Sequence, residues 1–388
     1  MQRSYVESIL SCCILLLAGA SGLCAEVPLD EAVRVLCQSQ SYGPDQTIKD
    51  QVLADARANA AYRQSLIESL TNRLAAYRED YQGAGEVRAL AELDAKETLP
   101  QLRQRWQQMP KRTYYTERID PRLQLLLAIT KFLPESESLR FLMETEKDAN
   151  EASKVRFRAM VSLCASGKEE AIKPVLAACE QAKKQYGRTT RMSVENQNRN
   201  PVRKENWDQD ADMMTDSMEA GLLLDPNNKD TDGDGLLDGN DRNPLCAGTD
   251  KPSEDQQIAQ NLLLLYMLYS PERGPARTSN PSQPNVLIAN LVVDRGEMSP
   301  NPLAGMELLG VDAIVLHLDR EGMAKYRDLH GYGTPSFSIH QMAGSSASER
   351  RFRFSRYLGP TGASMYEVTL KRFNGVWLPV VWELRGMA

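Results

Sequence analysis

Between Asp208 and Asp241 the chain repeats one spacing of carboxylates twice. Asp208, Asp210, Asp212, Asp216 and Glu219 fall at relative positions 1, 3, 5, 9 and 12, and Asp230, Asp232, Asp234, Asp238 and Asp241 repeat those positions 22 residues later. The segment holds eleven acids against one cation, Lys229, a local net charge of −10, whereas the whole chain carries −6. Carboxylates packed this closely repel one another and resist compaction until a cation neutralises them. Calcium suits the pattern. It takes six to eight oxygens at about 2.3–2.6 Å, and a tight loop with carboxylates at 1, 3, 5, 9 and 12 and a main-chain carbonyl at 7 supplies them. Met214 and Leu236 occupy position 7. Gly235 stands at position 6 of the second ladder, where the sharp turn favours a residue without a β-carbon, and Met213 stands there in the first. The alternative, a solvated acidic linker, gives no reason for a ligand register to recur.

The stretch Asp225-Pro226-Asn-Asn-Lys-Asp230-Thr-Asp232-Gly-Asp234-Gly235-Leu-Leu-Asp238 resembles the bacterial form of the thrombospondin type 3 repeat, an EF-hand-like calcium loop. The resemblance implies bound Ca2+ and says little about biological role. A dockerin uses a similar loop for cell-surface assembly, but there each loop leads into a helix. Gly239-Asn-Asp-Arg-Asn-Pro244 after the second ladder breaks one.

At 388 residues the chain exceeds a usual single core, so two or three domains are expected. Residues 1–25 read as an export signal: Arg3, an apolar run from Ile9 to Leu23, then Cys24-Ala25 before Glu26. An uncleaved membrane anchor and, through Cys24, a lipid attachment are the alternatives. Export to a periplasmic, cell-surface or secreted location agrees with calcium loops, since extracellular modules work where calcium is near millimolar. Outside the ladders the chain is only slightly basic, and nothing in it suggests nucleic acid. Cys37, Cys164, Cys179 and Cys246 remain after such cleavage. Antiparallel helices would hold Cys164 and Cys179 too far apart for a disulfide, so both read as small buried hydrophobes, and a Cys37–Cys246 bridge stays open.

Residues 26–185 read as helical. Val87–Leu102, a segment from Arg122, and Val155–Leu176 each look like a helix, a polar break and a second helix, with Ala89, Ala128 and Ala159 at matching places. Leu99-Pro100 and Lys173-Pro174 open second helices alike in this alignment. The segment, from about residue 60 to 184, resembles a HEAT-type α-solenoid; an ordinary helical bundle is the alternative. Residues 186–206 read as a polar linker and 207–246 as the calcium-binding repeats. The 253–388 region reads as an α+β domain with an antiparallel sheet: a helix from the Ser253–Gln256 capping box, then strands at Val286–Val293, Ala313–Leu318, Ser336–Gln341, Arg351–Tyr357, Met365–Phe373 and Val376–Leu384. Asn374-Gly375 signals a tight hairpin, and Pro379 signals an edge or a bulge.

The three histidines, His317, His330 and His340, fit no zinc spacing, and no nucleophile elbow, zincin or phosphate-loop motif occurs in the mature chain. Trp377, Trp382, Tyr357 and Tyr366 are explained by strand alternation before any pocket. The expectation is an exported, non-catalytic calcium-binding protein whose loops rigidify the junction of two domains and whose helical array meets a protein or envelope polymer. An exported hydrolase with a site in the C-terminal domain is the rival, and a dockerin-like assembly module the third reading.

Overall fold

The computed structural model describes residues 27–38, 44–77, 82–111, 120–186, 208–241, 244–245, 247, 254–268, 286–292, 314–316, 318, 320–331, 336–342, 344–357 and 362–387. The expected export signal, the linker from residue 187 onward, Cys246, His317 and the Ser253 cap lie outside the described residues. Among the described residues no helix is long and apolar enough to cross a membrane. The chain separates into two compact units: residues to Phe141 with Asn150–Val155, and Leu142–Ala149 with Arg156–Ala388.

The first unit is helical: α1 (Leu29–Cys37), α2 (Pro44–Ala58), α3 (Ala60–Ala76), α4 (Ala84–Glu92), α5 (Leu99–Gln108) and α6 (Pro121–Phe132), with part of α7 (Glu135–Lys147). Its starts are chemically marked. The Asn59 side chain caps α3 by accepting from the Ala61 and Tyr62 N–H groups, and Asp120 caps α6 ahead of Pro121, satisfying donors that have no partner within the helix. Leu66, Leu70, Leu90, Leu102 and Leu125 close one core with Ala89 and Ala128, whose lack of bulk lets α4 and α6 approach. Arg122 is buried in this unit. It donates to Glu151 through Nε at 2.7 Å and Nη2 at 2.5 Å, and to the Trp106 and Met109 carbonyls at 3.0 and 2.9 Å.

In the second unit, α8 (Ser153–Ser166), α9 (Glu169–Tyr186) and α11 (Glu254–Leu268) pack on a six-stranded sheet. The strands are β1 (Val286–Val292), β2 (Ile314–Leu316), β3 (Ser336–Gln341), β4 (Glu349–Tyr357), β5 (Ala363–Phe373) and β6 (Val376–Met387), in the order β2-β1-β3-β4-β5-β6. Alternation on β4 and β5 turns Phe352, Phe354, Tyr366, Val368 and Leu370 inward, where they meet Phe157, Ile258, Leu262 and Tyr266. Trp382 is buried edge-on to Phe157 with ring centroids 4.8 Å apart. Tyr357 is half-buried under the Arg327 guanidinium.

Three details differ from the sequence expectations. The sheet is mixed: β3 to β6 are antiparallel, but β1 pairs in parallel with both β2 and β3. Parallel pairing needs a long crossover, and between β2 and β3 it is supplied by an unforeseen helix, α12 (Arg320–His330). Pro174 lies inside α9, which begins earlier at Glu169, so it does not open that helix as Pro100 does in α5. The last helical pair also packs in the sheet's core, so the 26–185 segment is shared between the two units. Asn374 (φ 49°) and Gly375 (φ 82°) make the two-residue turn between β5 and β6, with the left-handed backbone such a turn requires. Pro379 sits on the edge strand beside a register shift at Thr369/Leu370.

Candidate metal centre

Both ladders close by one hydrogen-bond scheme. The position-1 carboxylate accepts from the N–H groups of positions 5 and 6: Asp208 from Asp212 and Met213, each at 3.2 Å, and Asp230 from Asp234 and Gly235 at 3.2 and 3.0 Å. Position 3 accepts from position 5, Asp210 from Asp212 at 3.2 Å and Asp232 from Asp234 at 3.1 Å. Position 5 accepts from position 7, Asp212 from Met214 at 2.6 Å and Asp234 from Leu236 at 2.9 Å. Position 9 reaches back to position 2, Asp216 to Gln209 and Asp238 to Thr231, both at 2.9 Å. Positions 3 and 5 close local turns with the amide two residues on, while positions 1 and 9 reach amides four to seven residues away, and together these bonds turn the side chains inward.

The backbones match as well. Positions 4 and 6 have positive φ in both loops: Ala211 at 62° and Met213 at 82°, Gly233 at 77° and Gly235 at 95°. Glycine adopts this freely, whereas Met213 carries the left-handed strain of an L-residue, on the order of 1–2 kcal/mol. The first loop therefore keeps the geometry of the second despite its different residue at the sharp turn. After it, α10 (Asp216–Leu222) brings Glu219 over the loop, with Thr215 as its cap.

Among the described residues three acidic groups converge, each with carboxylate oxygens within 4.8 Å of one another: Asp208, Asp210 and Asp212; Asp212, Glu219 and Asp238; and Asp230, Asp232 and Asp234. A calcium ion at about 2.3–2.6 Å from each oxygen spans about 5 Å between opposite ligands, so all three fit its size. Asp216 and Asp241 stand outside these groups. The middle group joins the two ladders and is the most buried, with Asp212 and Glu219 at 0% and Asp238 at 1% exposure. Among the described residues neither Glu219 oxygen has a hydrogen-bond partner. Burial, then the carboxylates of Asp210, Asp212, Asp216 and Asp238, push its acid up to about 8. Asp210 and Asp212 are also raised, first by burial.

The segment is seated on the second unit. Met214, Leu222 and Leu224 pack with Leu316 of β2, Leu318 and Tyr326 of α12, and the Gly221 carbonyl lies 2.6 Å from His330 Nε2. His330 is thus engaged at the end of α12, its ring tilted against Tyr326 with centroids 4.4 Å apart. His340 on β3 lies 2.7 Å from the Ser338 hydroxyl through Nε2; burial, then the Arg353 charge, lowers its pKa. Cys164 is buried, and the Cys37 thiol is pushed up to about 12, chiefly by burial. The sequence did not reveal the closing of the first loop by a residue of the second, although Gly239, beside Asp238, is the one local sign of it.

Comparison of the chain with protein-family models, with curated proteins and with solved structures gave no match.

Proposed function

We propose that residues 208–241 bind two calcium ions, one per loop, and that the chain is an exported, non-catalytic interaction or scaffold protein that depends on them. The carrying observation is Glu219: fully buried, with both oxygens unpartnered, among carboxylates spaced for a hard cation. Leaving an ionised carboxylate buried and unpaired is costly, and a cation is the partner its surroundings favour. Oxygen-only donors select calcium over zinc or copper, and the size of the groups suits it.

The mechanical effect of the ions falls on the second unit. Pulling Asp208, Asp210, Asp212 and Glu219 around one ion fixes α10 to its loop, and α10 carries Leu222 and the Gly221 carbonyl, which meet α12. Calcium in this reading holds the acidic segment onto β2 and α12. The thrombospondin type 3 likeness is preferred to a dockerin because the second loop is followed by a turn at 238–240, and no helix occurs among the described residues from 239 to 247. The helical half, with its paired helices and buried Ala89 and Ala128, is read as a HEAT-like array offering a surface to a protein or envelope polymer.

Limited proteolysis of the full chain, with calcium and with chelator, tests this. Calcium is expected to protect residues 200–250 in the native protein, and Asp232→Ala with Asp234→Ala to lose the protection contributed by the second loop. Equal cleavage with and without calcium in the native protein refutes the reading.

A further inference from the structure

The two loops interlock through Asp212 and Gly239. The Gly239 N–H donates to Asp212 Oδ2 at 2.9 Å, and a β-carbon at Gly239 would lie close against the Asp212 carbonyl oxygen, with Met213 C and Met214 N at 3.0 Å. Only glycine allows this backbone approach. It carries the preceding residue, Asp238, out of the second loop's carboxylate group and into contact with Asp212 and Glu219. Thr231 fixes Asp238 there, donating from its N–H to Oδ1 at 2.9 Å and from its hydroxyl to Oδ2 at 2.5 Å. Each carboxylate oxygen keeps a lone pair for a cation. The second loop's own group consists of Asp230, Asp232 and Asp234, all only half-buried.

From this geometry we infer that Asp238 is a ligand of the first loop's calcium ion, so that the first site is completed by the second loop while the second site forms without Asp238. The inference rests on the calcium reading above and refines it: position 9 of the second ladder serves the neighbouring ion. Glu219, buried and without a hydrogen-bond partner, lies in the same group and points independently to a cation at this place. The first site then gathers carboxylates from Asp208, Asp210, Asp212, Glu219 and Asp238. Its environment is drier and more charged than that of the second, and carboxylate number and rigidity set calcium affinity.

The test counts ions by calorimetric titration of the full chain with calcium chloride, in four proteins: the native chain, Asp238→Asn, the first-loop variant Asp208→Asn with Asp210→Asn, and that variant with Asp238→Asn added. The expected result is that Asp238→Asn removes an ion from the native chain and none from the first-loop variant. Removal of an ion from the first-loop variant assigns Asp238 to the second loop and overturns the inference, as does removal from neither. A native chain that binds no calcium sinks the calcium reading itself, a separate and recognisable failure. Gly239→Ala provides a second route, since it disturbs the loop contact without touching a carboxylate. It is expected to weaken the first-loop ion about tenfold or more, the scale on which supporting contacts tune metal sites, and to leave the second unchanged; equal affinity at both sites relative to the native chain overturns the interlock.

Discussion

Replacing Glu219 with Gln should stabilise the calcium-free protein while removing the response to calcium that comes from the first loop. In the folded chain this acid is raised from 4.5 to about 8, so between those values the native state holds a proton that the unfolded chain has released. Stability contributed by the neutral acid is therefore complete below about pH 4.5 and is lost as pH rises through about 8. At about 1.4 kcal/mol for each tenfold change in the proton equilibrium, the difference between 4.5 and about 8 amounts to about 5 kcal/mol, with about 3 kcal/mol already gone at pH 7. Glutamine keeps the size and polarity of the protonated acid without the charge. Urea unfolding in chelator at pH 5 and pH 8.5 should show the native protein losing several kcal/mol between the two, and Glu219→Gln losing less. At pH 8.5 the variant should be more stable by about 4–5 kcal/mol. Calcium should then stabilise the native protein, with about one proton released as the first-loop ion binds near pH 7, and leave the variant with only the stabilisation supplied by the second-loop ion. A variant that is no more stable than the native chain in chelator at pH 8.5 would refute the argument that this carboxylate is held against its own desolvation.

Two further substitutions probe the frame around the site. Met213→Gly places the second loop's residue type at the first loop's sharp turn, where φ is 82°; relief of left-handed strain should raise stability in chelator by about 1 kcal/mol, and a loss in urea unfolding contradicts it. Glu151→Gln leaves the buried Arg122 guanidinium without its bidentate partner. The helical unit should lose about 3–5 kcal/mol in thermal or chemical unfolding, and a loss well under 1 kcal/mol would mean that the Trp106 and Met109 carbonyls suffice.

Much of the C-terminal sheet was legible because its signals are local. The alternation of Phe352 and Phe354, and of Tyr366, Val368 and Leu370, marks strands wherever one face is buried, and Asn374-Gly375 supplies the positive φ of a two-residue turn. Pro379 indicated an edge because an edge strand can spare a donor. Helix α12 escaped notice since its apolar contacts are few: Tyr326 is buried and Met323 partly so, while Leu329 is exposed. Parallel pairing of β1 carries no local mark, because its partners are set by where the crossover returns. Pro174 reads locally as a helix opener, yet the helix α9 begins at Glu169 and holds the proline inside it.

The sequence by itself determined the two loops. Carboxylates at every second residue fold back onto amides two to five residues away, so the ladder, its turns and its cation-sized groups follow from spacing alone. Tertiary structure decided which carboxylates stand together. Asp238 and Glu219 are 19 positions apart in the chain, and their meeting depends on Gly239 lying against the Asp212 carbonyl and on the Thr231 hydroxyl aiming the side chain. Hydrogen bonds within a turn are fixed by chain geometry, whereas a buried carboxylate's neighbours are fixed by how two surfaces pack, and only the folded chain specifies that.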